Sequence, residues 1–211
     1  MQSGTIIGIF DSIPLWVMLI PIVICSILSL AVIIERMIFY SRIKCDYTQV
    51  VESVRAYCSG SKTGDAKRVC GNYSGPIIEM LARVVNGISE NESRQRIISD
   101  YSDRAIRNVE KNIGVIATVA TIAPMFGLLG TVTGMMKSFS GLSRVGPMAH
   151  DLLAYGIAEA LITTAFGLLV AIPSWIFYNY LVSRAEFFVK EIEYVANSAM
   201  TLPGCDKEQG E

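Results

Sequence analysis

The sequence predicts an all-α membrane protein with three transmembrane helices. Hydrophobic residues make up 52% of its 211 positions and charged residues only 18%, a balance typical of membrane proteins. No charge lies in residues 13–34, 112–136 or 160–183, which are runs of 22, 25 and 24 residues. Since a helix rises about 1.5 Å per residue, each run is long enough to cross a hydrocarbon core of about 30 Å.

The first predicted span covers residues 13–35 and follows an outer N-terminal segment, 1–12. Its core, "LWVMLIPIVICSILSLAVII", is apolar on every side apart from small hydroxyls, which indicates a lipid-facing helix. A cleaved secretory signal is the alternative. However, the run exceeds a typical signal core, Asp11 precedes it where positive charge is expected, and no small-x-small cleavage site precedes a soluble chain. We therefore interpret the segment as a retained anchor.

The placement of lysine and arginine predicts the orientation, because cytoplasmic flanks retain positive charge. Residues 35–111 hold 13 of the 18 basic residues, and residues 1–12 hold none. We therefore expect an outer N-terminus and a cytoplasmic C-terminus. The remaining predicted segments are a cytoplasmic helical region at 36–111, spans at 112–138 and 154–183, an outer loop at 139–153 and a cytoplasmic tail at 184–211.

The cytoplasmic region is predicted to be helical because its apolar positions recur at helical spacing, with breaks at "CSGSKTG" and "CGNYSGP". Residues 90–111 alternate in charge and enter the second span without a helix breaker. We therefore expect one long helix running from the cytoplasm into the membrane. The third span should extend into the cytoplasm in the same way.

Several classes of function find no support in the sequence. The five cysteines fall in predicted cytoplasmic segments or in a span, and their spacing matches no zinc pattern, so neither disulfides nor a metal site is expected. A net charge of −1 does not suggest a nucleic-acid partner. No nucleophile and base pair, phosphate loop or cofactor motif is present, and the single histidine, His150, is interpreted as a solvated loop residue. We do not expect an enzyme.

The second span carries glycines and threonines that the first lacks. Gly127, Gly130 and Gly134 share one helix face, and small residues at this spacing allow close backbone approach. Thr131 lies about 100° around the helix from Gly130. Hydroxyls bonded to their own helix would explain most of the threonines in this span.

The third span places Glu159 in an apolar stretch, about 12 Å along the helix from Asp151. An unpaired carboxylate at that depth costs roughly 2.5 kcal/mol or more, so it is expected to face a bundle interior or a wet cavity. The alternative is that the span begins at Glu159, which would leave it at the interface. Thr163 lies one turn further on the same face, whereas Thr164 lies about 140° away. Pro173 predicts a kink or a hinge.

These motifs resemble those of the ExbB and TolQ family, the wider group of which includes the flagellar stator protein MotA. The resemblance rests on "GLLGTVTGM" at 127–135, "GIAEALITTAFGLLVAIP" at 156–173, the pair Tyr178 and Asn179, and the "IIER" exit of the first span.

The resemblance implies a proton-driven motor subunit of the bacterial inner membrane. It implies a homopentamer, in contact with membrane lipid, around the single-span helix of an ExbD- or TolR-type protein, with a TonB- or TolA-like protein as a further partner. Carried over by motif, Thr131, Thr164 and Glu159 line the ion pathway, and Thr163 adds a fourth polar contact where the family has a small apolar residue. On this view the threonine hydroxyls stabilise the partner's ionised aspartate, and protonation weakens that hold.

Two alternatives to this function stay open at this stage. Glycine-lined helices could form a non-conducting oligomeric scaffold, and a MotA-like stator is less favoured because such chains have four spans. The sequence separates neither proton from sodium coupling nor an ExbB role from a TolQ role.

Overall fold

The computed structural model describes residues 15–42, 94–142 and 149–201, together with Glu52. These residues form four helices, which we number α1 (Leu15–Arg42), α2 (Arg94–Glu110), α3 (Ile113–Leu142) and α4 (Ala149–Thr201). No strand occurs among them, so the all-α class is confirmed. The predictions for the N-terminal segment, for most of the cytoplasmic region and for the last ten residues lie outside the described residues.

Three helical stretches are long and apolar enough to cross a membrane: Leu19–Ser41, Gln95–Ser140 and Leu153–Thr201. The three-span prediction is therefore confirmed. The chain divides into two compact units. Of the described residues, the first unit contains 15–38, 112–142 and 149–181, and the second contains 39–42, 94–111 and 182–201.

In the first unit, α1 packs through one stripe of side chains. Ile22, Ser29, Ile33 and Arg36 are buried, and their spacing places them on one helical face. The other faces of α1 expose large apolar side chains such as Ile27, at 62%. An exposed apolar surface of this extent is typical of a helix that contacts lipid or another membrane helix.

In the second unit, α2 buries the apolar side of an otherwise charged helix. Ile97, Ile98, Ala105 and Val109 are buried. Tyr40 stacks on Phe188 with ring centroids 5.4 Å apart, and its hydroxyl donates to the carbonyl of Val109 at 2.8 Å. The helix α2 is therefore amphipathic, with charged residues such as Arg96, Asp100 and Arg104 on its exposed side.

The expected continuous helix into the second span is interrupted. Lys111 and Asn112 form a turn between α2 and α3, and Asn112 has a φ of 63°, in the left-handed region. Asparagine adopts this conformation more readily than most residues. The Asn112 side-chain amide also donates to Glu35 of α1 at 3.2 Å. The break therefore depends on one backbone angle and one contact from a distant part of the chain, neither of which periodicity reveals.

By contrast, α4 is continuous from Ala149 to Thr201, and Pro173 lies inside it. The helix that holds the third span therefore continues past residue 183, where the predicted span ends, and the cytoplasmic position of this extension stays a prediction. The flanks of the predicted outer loop, 139–153, are helical, since α3 ends at Leu142 and α4 begins at Ala149.

Candidate functional site

The membrane parts of α3 and α4 pack against each other along small residues. From one end of the contact to the other, Ala123 of α3 lies against Gly167 of α4, Gly127 against Thr163 and Thr164, Gly130 against Thr163, Gly134 against Ala160, and Ser138 against Gly156. Residue numbers rise along α3 as they fall along α4, so the two helices are antiparallel. We call this contact the small-residue seam.

The seam brings the two backbones into direct contact. A Cβ added to Gly134 would lie 2.7 Å from the Cβ of Ala160, and one added to Gly167 would lie 2.7 Å from the carbonyl oxygen of Ala123. A Cβ on Gly130 would overlap the side chain of Thr163. Glycine is therefore sterically required at these positions, as expected where helices associate through small residues.

Thr164 is bonded across the seam. Its hydroxyl donates to the carbonyl oxygen of Gly127 on α3 at 2.9 Å, and its side chain remains partly exposed. In an α-helix the same carbonyl accepts the backbone amide four residues later, which here is Thr131. Thr164 and Thr131 are thus linked through one backbone carbonyl.

Thr131 is also partly exposed, and its hydroxyl donates to the carbonyl of Leu128, one turn earlier on its own helix, at 2.7 Å. Thr131 follows Gly130 on α3, just as Thr164 follows Thr163 on α4. On each helix, the residue that follows a seam residue is rotated by about 100° around the helix axis. Because α3 and α4 are antiparallel, this rotation points to the same side of the helix pair in both cases. The structure therefore brings Thr131 and Thr164 to one side, which we call the threonine edge.

The surroundings of the threonine edge are apolar. Leu128 and Leu161 are each 62% exposed, and Met135 and Leu168 are also exposed. The two hydroxyl groups therefore form a small polar spot on a surface of large hydrocarbon side chains. Like the exposed face of α1, such a surface is typical of helices that contact lipid or another membrane helix.

Thr163 does not belong to the threonine edge. It is fully buried in the seam, and its hydroxyl donates to the carbonyl of Ala160 at 2.7 Å and lies 3.4 Å from that of Gly127. This differs from the expected fourth contact in the ion pathway. The reason is that Gly130 leaves a space which the Thr163 side chain fills.

Glu159 lies on the other side of the pair. It directly precedes Ala160, whereas Thr164 directly follows Thr163, and both Ala160 and Thr163 belong to the seam, so the Glu159 and Thr164 side chains lie about 140° apart on opposite sides of it. The carboxylate is partly exposed and has no hydrogen bond or ion pair to any residue that the structure describes. Within one chain, then, Glu159 and the threonine edge are separate features.

A buried polar contact joins α1 to α4, and the sequence analysis did not predict it. Ser29 of α1 and Ser174 of α4 are both buried, with their hydroxyl oxygens 2.7 Å apart. Ser174 also donates to the carbonyl of Val170 at 2.8 Å. Ser174 directly follows Pro173, whose missing amide leaves the carbonyl of Leu169 without its helical partner. A small hydroxyl residue after a membrane proline was the only signal in the sequence.

Other candidate chemistry is sparse in the described part of the chain. It contains no group of three or more metal-ligating side chains. Cys25 of α1 is a free thiol, and the other cysteines lie outside the described residues.

Comparison with known proteins places these features in one family. The profile of the MotA/TolQ/ExbB proton channel family matches residues 74–194, more than half of the chain and all of the small-residue seam. A protein of Synechocystis sp. named ExbB-like 3 is 29% identical over 163 residues, which is 76% of this chain and 78% of that protein.

Two further relatives match over shorter stretches. The biopolymer transport protein ExbB of Pseudomonas putida is 47% identical over 73 residues, 35% of this chain and 22% of the relative. The Tol-Pal system protein TolQ of Haemophilus influenzae is 45% identical over 84 residues, 40% of this chain and 37% of the relative. The matches to these two proteins thus span well under half of their lengths.

Proposed function

The chain belongs to the MotA/TolQ/ExbB proton channel family, and from that premise we propose that it is the ring-forming subunit of a proton-driven motor in the bacterial inner membrane. The observation that carries the proposal is the threonine edge: two hydroxyl groups held together on one side of a tightly packed pair of membrane helices. In this role the edge lines a lumen between subunits, because three spans are too few to enclose a polar pathway within one chain.

The partner in this proposal is a single-span helix of the ExbD or TolR type that carries one membrane carboxyl group. Such a helix is mostly apolar, and it would lie against the exposed leucines around the threonine edge while its carboxyl group meets the two hydroxyls. Five copies of the chain around the partner helices are the expected arrangement from the family resemblance. The orientation we propose has the N-terminus outside and the second unit in the cytoplasm, as the basic residues predict.

The energy source is the membrane potential together with the proton gradient. Moving one elementary charge through 100 mV releases about 2.3 kcal/mol. This is comparable to the net strength of one or two hydrogen bonds, so a single proton transfer can shift the balance between two positions of the partner helix. The helices that bear the hydroxyls must be rigid for this to work, and the backbone contact along the seam supplies that rigidity.

The proposed motor would drive either transport across the envelope or maintenance of the envelope. The names of the relatives, biopolymer transport for ExbB and the Tol-Pal system for TolQ, support these two roles. A TonB- or TolA-like protein would transmit the motion.

In the proposal Glu159 forms a second polar position, on the edge opposite the threonines. In a ring of identical chains that edge meets the neighbouring subunit, so Glu159 would lie between subunits near the outer side of the membrane. Thr163 contributes packing in the seam.

The experiment that tests the function is a proton-flux measurement in vesicles containing the chain and its single-span partner. Wild-type complex should carry a flux that collapses in Thr131→Val and in Thr164→Val. Thr118→Val is the matched control, because Thr118 also has an exposed hydroxyl that bonds its own helix, to Gly114 at 2.9 Å, but lies away from the threonine edge. Wild-type flux in both test variants, with assembly intact, would instead favour a scaffold whose threonines serve only local bonds.

A further inference from the structure

Each hydroxyl of the threonine edge has its single proton already engaged. A threonine hydroxyl has one O–H to donate and two lone pairs with which to accept, whereas a backbone carbonyl can only accept. In the 2.9 Å bond from Thr164 to the Gly127 carbonyl and the 2.7 Å bond from Thr131 to the Leu128 carbonyl, each O–H therefore points at a backbone carbonyl. What both residues present toward the apolar surface is oxygen lone pairs.

We propose that the threonine edge is an acceptor site, which binds the protonated, neutral form of a membrane carboxyl group and does not hold the ionised form. A carboxylic acid has an O–H to donate to these lone pairs, whereas a carboxylate has only lone pairs of its own. This inference rests on the proposed function. It reverses the order expected from the sequence, because protonation strengthens the contact and loss of the proton releases it.

The bond of Thr164 is the more firmly held of the two. It joins separate helices where their backbones are in contact, since a Cβ on Gly127 would lie 3.0 Å from the Cα of Thr164. Turning the hydroxyl away would remove the shorter of two hydroxyl contacts to the Gly127 carbonyl inside the seam, where Gly127 is buried and the Thr163 hydroxyl lies 3.4 Å away. The Thr131 bond lies within one helix on a more open surface, so its hydroxyl can turn at smaller cost. Thr164 should therefore be the stronger acceptor.

Other charged groups lie away from the edge in the described part of the first unit. Glu159 is on the opposite side of the pair, and Lys137 lies six residues beyond Thr131 on α3. In the part of α1 that belongs to the first unit, the charged residues are Glu35 and Arg36, which form an ion pair at 2.8 Å, and Glu35 contacts Asn112. Asn112 lies about 28 Å from Thr131 along α3, at 1.5 Å per residue. The hydroxyls are the polar groups best placed to meet the carboxyl.

The first measurement uses the chain with its single-span partner in lipid nanodiscs. The infrared C=O band of the protonated carboxylic acid is followed against pH, which gives the proton affinity of the partner's membrane carboxyl. We expect Thr164→Val to lower this affinity about two- to tenfold, the equivalent of one lost hydrogen bond. Thr131→Val should lower it less, and Thr118→Val should leave it unchanged.

The sign of that change decides the inference. A raised affinity in Thr164→Val would mean that the hydroxyl stabilises the ionised carboxylate, and an unchanged affinity would mean that it contacts neither form. Either result overturns the acceptor site. Both are distinct from failure of the proposed function, which would show as wild-type proton flux in the Thr131→Val and Thr164→Val vesicles.

A second measurement needs the chain alone. In solid-state NMR on lipid-reconstituted protein labelled with glycine ¹³C′ and leucine ¹⁵N, Gly127 is one of only three Gly-Leu pairs, the others beginning at 141 and 167. If Thr164 donates to Gly127 in the membrane, Thr164→Val should move the Gly127 carbonyl signal and leave the other two in place. An unmoved Gly127 signal means that the proton of Thr164 is not engaged there, and the inference then fails whatever the flux shows.

Discussion

The hydroxyl of Thr164 reaches across the seam to the carbonyl of Gly127 at 2.9 Å, and this is possible only because Gly127 has no side chain. The second and third spans carry glycines and threonines, which the first span lacks. This contact joins one residue of each type. The glycine allows the approach, and the threonine uses the carbonyl that the approach brings within reach.

Gly134→Ala should destabilise the α3–α4 pair. The new Cβ would lie 2.7 Å from the Cβ of Ala160, so the backbones must move apart, at about 1 to 3 kcal/mol. Gly114→Ala is the control on the same helix, because a Cβ there meets no atom within 4 Å. The free energy of unfolding in mixed micelles should be lower for Gly134→Ala than for Gly114→Ala. Equal values would mean that α3 and α4 are not in close contact at Gly134.

Asn112→Val should destabilise the junction between α2 and α3, whereas Asn112→Gly should be nearly neutral. The φ of 63° costs a β-branched residue about 1 to 2 kcal/mol but costs glycine almost nothing. The glycine variant loses the bond to Glu35, which is exposed and 3.2 Å long, so the loss is small. Thermal unfolding followed by circular dichroism measures both variants. A valine variant as stable as the glycine variant would show that the left-handed turn is not formed.

The Ser29–Ser174 contact predicts an asymmetry between two alanine variants. Since the proton of Ser174 is donated to Val170, Ser29 donates to Ser174. Ser29→Ala therefore leaves Ser174 with its own bond, whereas Ser174→Ala leaves a buried donor without its acceptor. We expect Ser174→Ala to cost about 1 kcal/mol or more and Ser29→Ala less.

A double-mutant cycle on the two serines measures their coupling, with Ser26→Ala as the control for a half-buried serine on the same helix. A coupling near zero would remove the proposed bond between α1 and α4.

Glu159→Ala should impair proton-dependent work far more than Asp151→Ala. Glu159 lies two turns further into α4, where a carboxylate without a partner is retained at a cost. Asp151 lies in the first turn of the same helix and serves as the control. Growth or uptake that depends on the motor provides the measurement, and equal tolerance at both positions would mean that the Glu159 carboxylate has no part in proton-dependent work.

The sequence alone determined the helical class, the three spans and the glycine-bearing face, because hydropathy and helical periodicity are sums over neighbouring residues. It also indicated that Glu159 and Thr164 do not lie side by side, which follows from their spacing on one helix. The antiparallel register of α3 and α4, the enclosure of Thr163 against Gly130 and the turn at Asn112 were decided by tertiary structure.

Tertiary structure also decided the direction in which each hydroxyl donates its proton. Thr164 finds its acceptor 37 residues away and Ser29 finds its partner 145 residues away, distances over which local pattern carries no information. A hydroxyl in sequence is both donor and acceptor. Only the carbonyl that folding brings beside it determines which of the two it can offer to a partner.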